Sequence, residues 1–201
     1  LLLSTIGPPV ANDWSPDGHL LLYRDIDPRT DTDLWVVPVE REGSSGRMRP
    51  APGQKARAVA NTPSAEMNGQ FSPDGAWIAF ESDEQGSGDF QVYVQPFPGP
   101  GERRQISIDG GRYARWRRDG TELYYYAPDG RLMAVPIRPS PGKGPLDAGA
   151  PVPLFQVQAQ PGSGQRHQYI ASNDGQRFLV STATNTSPVV VTMIVNWTPP
   201  R

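Results

Sequence analysis

Few side chains in this chain are spaced for chemistry, and the densest group is acidic. Asp25, Asp27, Asp31 and Asp33 surround Pro28-Arg29-Thr30. Alternating carboxylates can hold Ca²⁺ through oxygen ligands. The spacing does not match an EF-hand loop, whose central Gly and closing Glu are missing. The stretch therefore reads as a solvated loop that ends in a strand-capping Asp33, and Asp83, Glu84 and Asp89 read as a second loop of the same kind. Of the two histidines, His19 follows a turn and is expected to be exposed, and His167 opens a strand. Arg112, Arg115, Arg117 and Arg118 flank Trp116, and period-two alternation sets Arg115 and Arg117 opposite that ring. This basic stretch reads as a solvated strand edge and turn, with an anion or partner contact at Arg115 and Arg117 as the alternative. Trp35, Tyr93, Tyr124 and Tyr126 fall on apolar runs and are expected in the core, with a peptide or sugar site as the alternative. No G-x-S-x-G elbow, H-E-x-x-H pair, phosphate-cradling loop or kinase motif is present. The expectation is a segment that is not an enzyme, with no metal site and no cofactor.

The elements that position these residues follow from composition. The 201 residues include 23 Pro and 21 Gly, dispersed between short apolar runs. Such punctuation predicts many short strands joined by turns rather than helices. Five Trp, seven Tyr and six Phe supply enough large apolar surface for a packed core, against disorder. A net charge of −2 without a clustered basic face excludes a nucleic-acid footprint. Cysteine is absent, which excludes disulfides and thiolate metal sites. No apolar run approaches the ~18 residues that span a bilayer, so no membrane contact by this segment is expected. Leu1-Leu2-Leu3 is too short for a signal-peptide core and reads as a strand cut from something longer. Trp197-Thr198-Pro199-Pro200-Arg201 reads as a C-terminus.

The strongest signal is a repeat. Trp14-Ser15-Pro16-Asp17-Gly18 recurs as Phe71-Ser72-Pro73-Asp74-Gly75, then as Trp116-Arg117-Arg118-Asp119-Gly120 and Ala171-Ser172-Asn173-Asp174-Gly175. The four Asp residues are 57, 45 and 55 positions apart, the length of a four-stranded unit plus its loops. Each copy is followed by an apolar run: Leu20–Tyr23, Trp77–Phe80, Leu123–Tyr126 and Phe178–Val180. A second strand begins 13 to 18 residues after each Asp, as in Leu34-Trp35-Val36-Val37. A third short run, such as Ala58-Val59-Ala60, closes the unit. In Ser-Pro-Asp-Gly, Pro presets φ, Asp bonds its neighbouring backbone, and Gly takes the left-handed conformation that closes a hairpin. The aromatic ahead of the turn is expected to pack between adjacent units.

Copies of W/F-S-P-D-G followed by L-L-Y or I-A-F, and then by D-L-W-V or Q-V-Y-V, resemble TolB-like, WD-repeat-like β-propeller blades. The resemblance covers roughly residues 1 to 198. It implies an all-β propeller with about four blades of four antiparallel strands, at 10–60, 66–109, 112–157 and 166–198. Residues 1–9 would be the outer strand of a missing upstream blade or a closing strand. The expected form is an open arc cut from a larger six- to eight-bladed propeller, with closure of a four-bladed ring as the alternative. Insertions 41–55 and 138–150 are expected to be flexible surface loops. On an inner strand His167 would face the central channel, as a plain polar residue or a ligand contact.

The same resemblance bears on function. Met193-Ile194-Val195-Asn196-Trp197 is similar to the end of propellers fused behind bacterial serine/threonine protein kinases. The implied role is a non-catalytic scaffold for protein, peptide or ligand binding, as the sensor of such a kinase or as an envelope protein like TolB. That implies a periplasmic or other extracytoplasmic location. The alternatives are the propeller of a prolyl-oligopeptidase-type peptidase lacking its hydrolase domain, or a propeller lyase or lactonase.

Overall fold

Turn residues at regular intervals leave only short strands, and a short sheet must bury its faces against neighbours of the same kind. The computed structural model describes residues 9–84, 88–99, 101–138, 146–157, 168–182 and 190–194. The first sheet holds β1 (Val10–Trp14), β2 (Leu20–Asp27), β3 (Asp31–Arg41), β4 (Met48–Pro50) and β5 (Arg57–Ala60). The second holds β6 (Glu66–Phe71), β7 (Trp77–Ser82), β8 (Gln91–Pro96) and β9 (Arg104–Gln105). The third holds β10 (Arg112–Trp116), β11 (Glu122–Tyr126), β12 (Arg131–Arg138), β13 (Asp147–Ala148) and β14 (Val152–Gln156). The fourth holds β15 (Tyr169–Ala171), β16 (Phe178–Thr182) and β17 (Val190–Ile194). All pairings are antiparallel, and among the described residues no strand of the fourth sheet pairs with the first. The architecture is an open propeller arc of four blades.

Period-two alternation builds the core between blades. Ile78 and Phe80 of β7 pack back on Leu22, Leu34 and Val36 of the first blade. Ala79, between them, packs forward on the third blade with Trp116 and Leu123. The third junction joins Tyr124, Leu132 and Ala134 to Tyr169, Phe178 and Val180. Tyr93, Tyr124 and Tyr126 are buried in these layers, and Trp35 packs on the opposite face of the first blade with Leu21 and Tyr23.

Several expectations change. Phe71 and Trp116, 4% and 8% exposed, do insert between blades, whereas Trp14 is 44% exposed. Its ring belongs to the face that a preceding blade would cover, and no described residue forms one. The insertions are not plain loops. The first carries β4, which pairs Met48 with Arg41 and Pro50 with Val39, and in the second β13 pairs Ala148 with Ile137. Each doubles back on the long third strand of its blade. Residues 1–8, and with them the proposed upstream or closing strand, lie outside the described residues, as does His167.

Candidate functional site

The four Asp-Gly turns occupy one place in the four blades, each linking the edge strand to its neighbour. In all four the Gly N–H donates to the carbonyl three residues back: Gly18 to Ser15, Gly75 to Ser72, Gly120 to Arg117 and Gly175 to Ser172, at 2.8–2.9 Å. Their φ values are 74°, 72°, 74° and 67°, a region that favours glycine. Ser15, Ser72 and Ser172 each donate their hydroxyl to the carboxylate two residues on, at 2.5 Å. That same oxygen accepts the N–H of His19, Ala76 or Gln176 at 3.0 Å. These bonds hold the Asp17 and Asp174 carboxyls below the ordinary range, the serine hydroxyl contributing most. The turns also abut along the arc: a side chain at Gly75 would touch Pro16, and one at Gly120 would touch Pro73.

Arg117 stands where the other turns have Ser. Its guanidinium lies 3.2 Å from Asp119 and 3.1 Å from Glu122, so its charge is paired within the turn. The acidic stretch is also not a loop. Asp25 pairs with Asp33 and Asp27 with Asp31 across a tight β2–β3 hairpin. Asp33 is buried and accepts from Thr30 Oγ1 and Asn61 Nδ2. Arg29 grips Asp27 through two bonds and lowers its carboxyl to about 2. Asp83 accepts the Ala65 N–H, and Glu84 pairs with Arg103. Among the described residues no three His, Cys, Asp or Glu side chains converge as metal ligands. His19 is exposed.

The charged centre of the molecule lies elsewhere, on the edge strands that face the axis of the arc and on the strands β2 and β7 beside them. Glu81 is fully buried in the second blade and has a partner on either side. It accepts from Asn68 Nδ2, from Arg112 Nε at 3.2 Å and from the Tyr113 N–H at 3.3 Å. The buried Arg24 of the first blade lies within its field. Desolvation nonetheless raises the Glu81 carboxyl above the ordinary range. Arg112 also lies over the Phe90 ring at 4.1 Å. Two of its neighbours, Asn68 and Tyr113, have positive φ, 55° and 58°, each at a bulge in its edge strand. For an aromatic residue this backbone costs energy, which Glu81 offsets by accepting the Tyr113 N–H. Nothing in the local sequence marks Glu81, because its partners come from other strands and other blades.

One further layer links the blades. Asp13 Oδ2 accepts the Phe71 N–H, and Gln70 Oε1 accepts the Trp116 N–H, both at 2.9 Å. Burial raises the Asp13 carboxyl. Arg115, at the matching place in the third blade, is half-buried, and desolvation lowers its pKa from the ordinary arginine value. Its field reaches Tyr169 and Asp13. Arg115 is on the strand β10, whereas Arg117 lies just past its end, in the turn.

No protein-family model matches the sequence, and comparison with curated protein sequences finds no match. Solved structures do match in shape. TolB from Acinetobacter baumannii superposes with a TM-score of 0.61 at 18% identity, over 99% of this chain and 45% of that one. A puromycin-hydrolyzing peptidase of Mycobacterium tuberculosis gives 0.61 at 18%, over 97% and 28%. An oligogalacturonate lyase in complex with manganese gives 0.54 at 16%, over 94% and 48%. The chain spans less than half the length of each of these three. At such identities the likeness is one of fold, shared by enzymes and by TolB.

Proposed function

We propose that this chain is a non-catalytic binding scaffold that presents its edge-strand face and turns to a protein or peptide. The observation that carries this reading is the engagement of the axial acids. Glu81 is saturated by partners from its own and the third blade, and Asp13 is bonded to the second. A general acid or base needs a free proton-transfer position within reach of substrate, and carboxylates used as inter-blade bolts offer none. The likeness to TolB supports an extracytoplasmic role as the interaction or sensor module of a larger protein, of which a receptor-like serine/threonine kinase is one form. No helix among the described residues is long and apolar enough to cross a membrane. The competing reading, a propeller serving a peptidase, a lyase or a lactonase, draws on enzymes of those kinds among the matching folds.

Site-specific photo-crosslinking tests the proposal. A photoreactive residue at Ile170, exposed on the edge strand β15, is compared with one at Val152 on the outer strand β14. In bacterial envelope extracts the scaffold reading expects one recurrent protein captured at 170 and not at 152. Equal capture at both positions, or none, contradicts it.

A further inference from the structure

Two of the three blade junctions are closed by the same bond, and the third cannot be. Trp14, Phe71, Trp116 and Ala171 share one register position, opposite Leu21, Ile78, Leu123 and Phe178. The next residue in each blade sends its N–H into the hairpin, from Ser15 to Leu20, Ser72 to Trp77, Arg117 to Glu122 and Ser172 to Arg177. Antiparallel alternation therefore turns the N–H of the four register residues towards the open edge. The residue before the register position in one blade closes the gap to the next: Asp13 accepts from Phe71, and Gln70 accepts from Trp116. At the third junction that residue is Arg115, and the register residue of the next blade is Ala171. A guanidinium has donors and no acceptor. By register the two donors belong to one junction, and no described residue accepts a hydrogen bond from either.

We propose that the junction of the third and fourth blades binds a carboxylate, which supplies the acceptor that Asp13 and Gln70 provide at the other two. The planar fork of arginine matches a carboxylate through two parallel bonds. Asp13 lies within the field of Arg115 yet forms no ion pair with it, its carboxylate being held by the Phe71 N–H. Its negative charge favours a singly charged ligand over a phosphate dianion. Tyr169 closes the floor, 2% exposed, with its hydroxyl donated to the Tyr113 carbonyl at 3.0 Å. Ile170, the residue before Ala171, takes the same place in the fourth blade as Arg115 in the third, and its 57% exposure lies on the face turned away from this junction. The ligand is a small carboxylic acid or the carboxylate of a peptide, and this rests on the scaffold reading above.

The test follows the Ala171 amide and the Arg115 Nε resonance of the ¹⁵N-labelled chain during titration. The probes are sodium acetate, the side-chain acid Ac-Gly-Glu-Gly-NH₂ and the terminal acid Ac-Gly-Gly-Gly-OH, against sodium chloride and inorganic phosphate at equal ionic strength. At least one carboxylate should give a saturable shift at both positions, and the order of the three separates a free acid from a peptide side chain or terminus. Arg115→Gln copies the second blade, so it should weaken that response at least about tenfold and raise the thermal midpoint. The proposal falls if no carboxylate saturates, if chloride or phosphate reproduces the response, or if Arg115→Gln responds like the parent. Capture of a partner at position 170 would survive that failure, which keeps the two readings distinguishable.

Discussion

At the scale of single residues, Glu81 is the group whose loss the fold should feel most. Replacing it by Ala leaves Arg24 and Arg112 without their shared counter-charge, at a cost of about 3–5 kcal/mol in urea unfolding. Glu81→Gln keeps the shape and should cost less. The raised carboxyl also fixes the sign of a pH effect. Above the ordinary glutamate pKa the unfolded chain has released a proton that the folded chain still holds, so this group's contribution to stability falls as pH rises through that window. Glu81→Gln should flatten the slope there, and an unchanged slope would contradict the assignment. None of this was legible in the sequence. Arg112 lies 31 positions from Glu81, and only the ring-wise stacking of blades brings them together. The basic stretch was legible as a group, but not that β10 ends at Trp116, which leaves Arg115 on the strand and Arg117 in the turn.

At the scale of elements, the Asp-Gly hairpin is where sequence and structure agree most closely, because its chemistry is local. Pro, Asp and Gly act on their own backbone, and no distant residue is needed to read them. Gly120, at φ 74°, should lose about 1–2 kcal/mol on replacement by Ala, the cost of a left-handed side chain. Asp17 and Asp174 have lowered carboxyls, so their support for the turns is complete above the ordinary aspartate pKa. It is lost as pH falls through the lowered values. Acid titration of Asp17→Asn and Asp174→Asn should show a shallower loss than the parent. The aromatic ahead of the turn gives an internal contrast. Phe71→Ala should cost about 3–5 kcal/mol, and Trp14→Ala, on an exposed ring, about 0.5 kcal/mol or less. Equal losses in urea unfolding would mean that Trp14 is covered in solution. The sequence could not separate the two, since each sits ahead of the same Ser-Pro-Asp-Gly.

At the scale of the whole molecule, four blades stack in one direction and their cores lie between them rather than within them. Repetition made the blade number and strand count legible, whereas the arrangement of the two ends was not, because turn motifs specify hairpins and not curvature. The inserted strands β4 and β13 were also hidden, their sequences being rich in the Pro and Gly of ordinary loops. The central claim is that these equivalent blades form an arc that stays open. The chain has no cysteine, so introduced thiols label cleanly. Spin labels at His19, Ala76 and Gln176 sit on the same exposed turn position of the first, second and fourth blades. Electron–electron resonance should give a 19–176 distance well beyond the 19–76 distance between neighbours. A 19–176 distance equal to the neighbour spacing would mean a closed ring and would contradict the account.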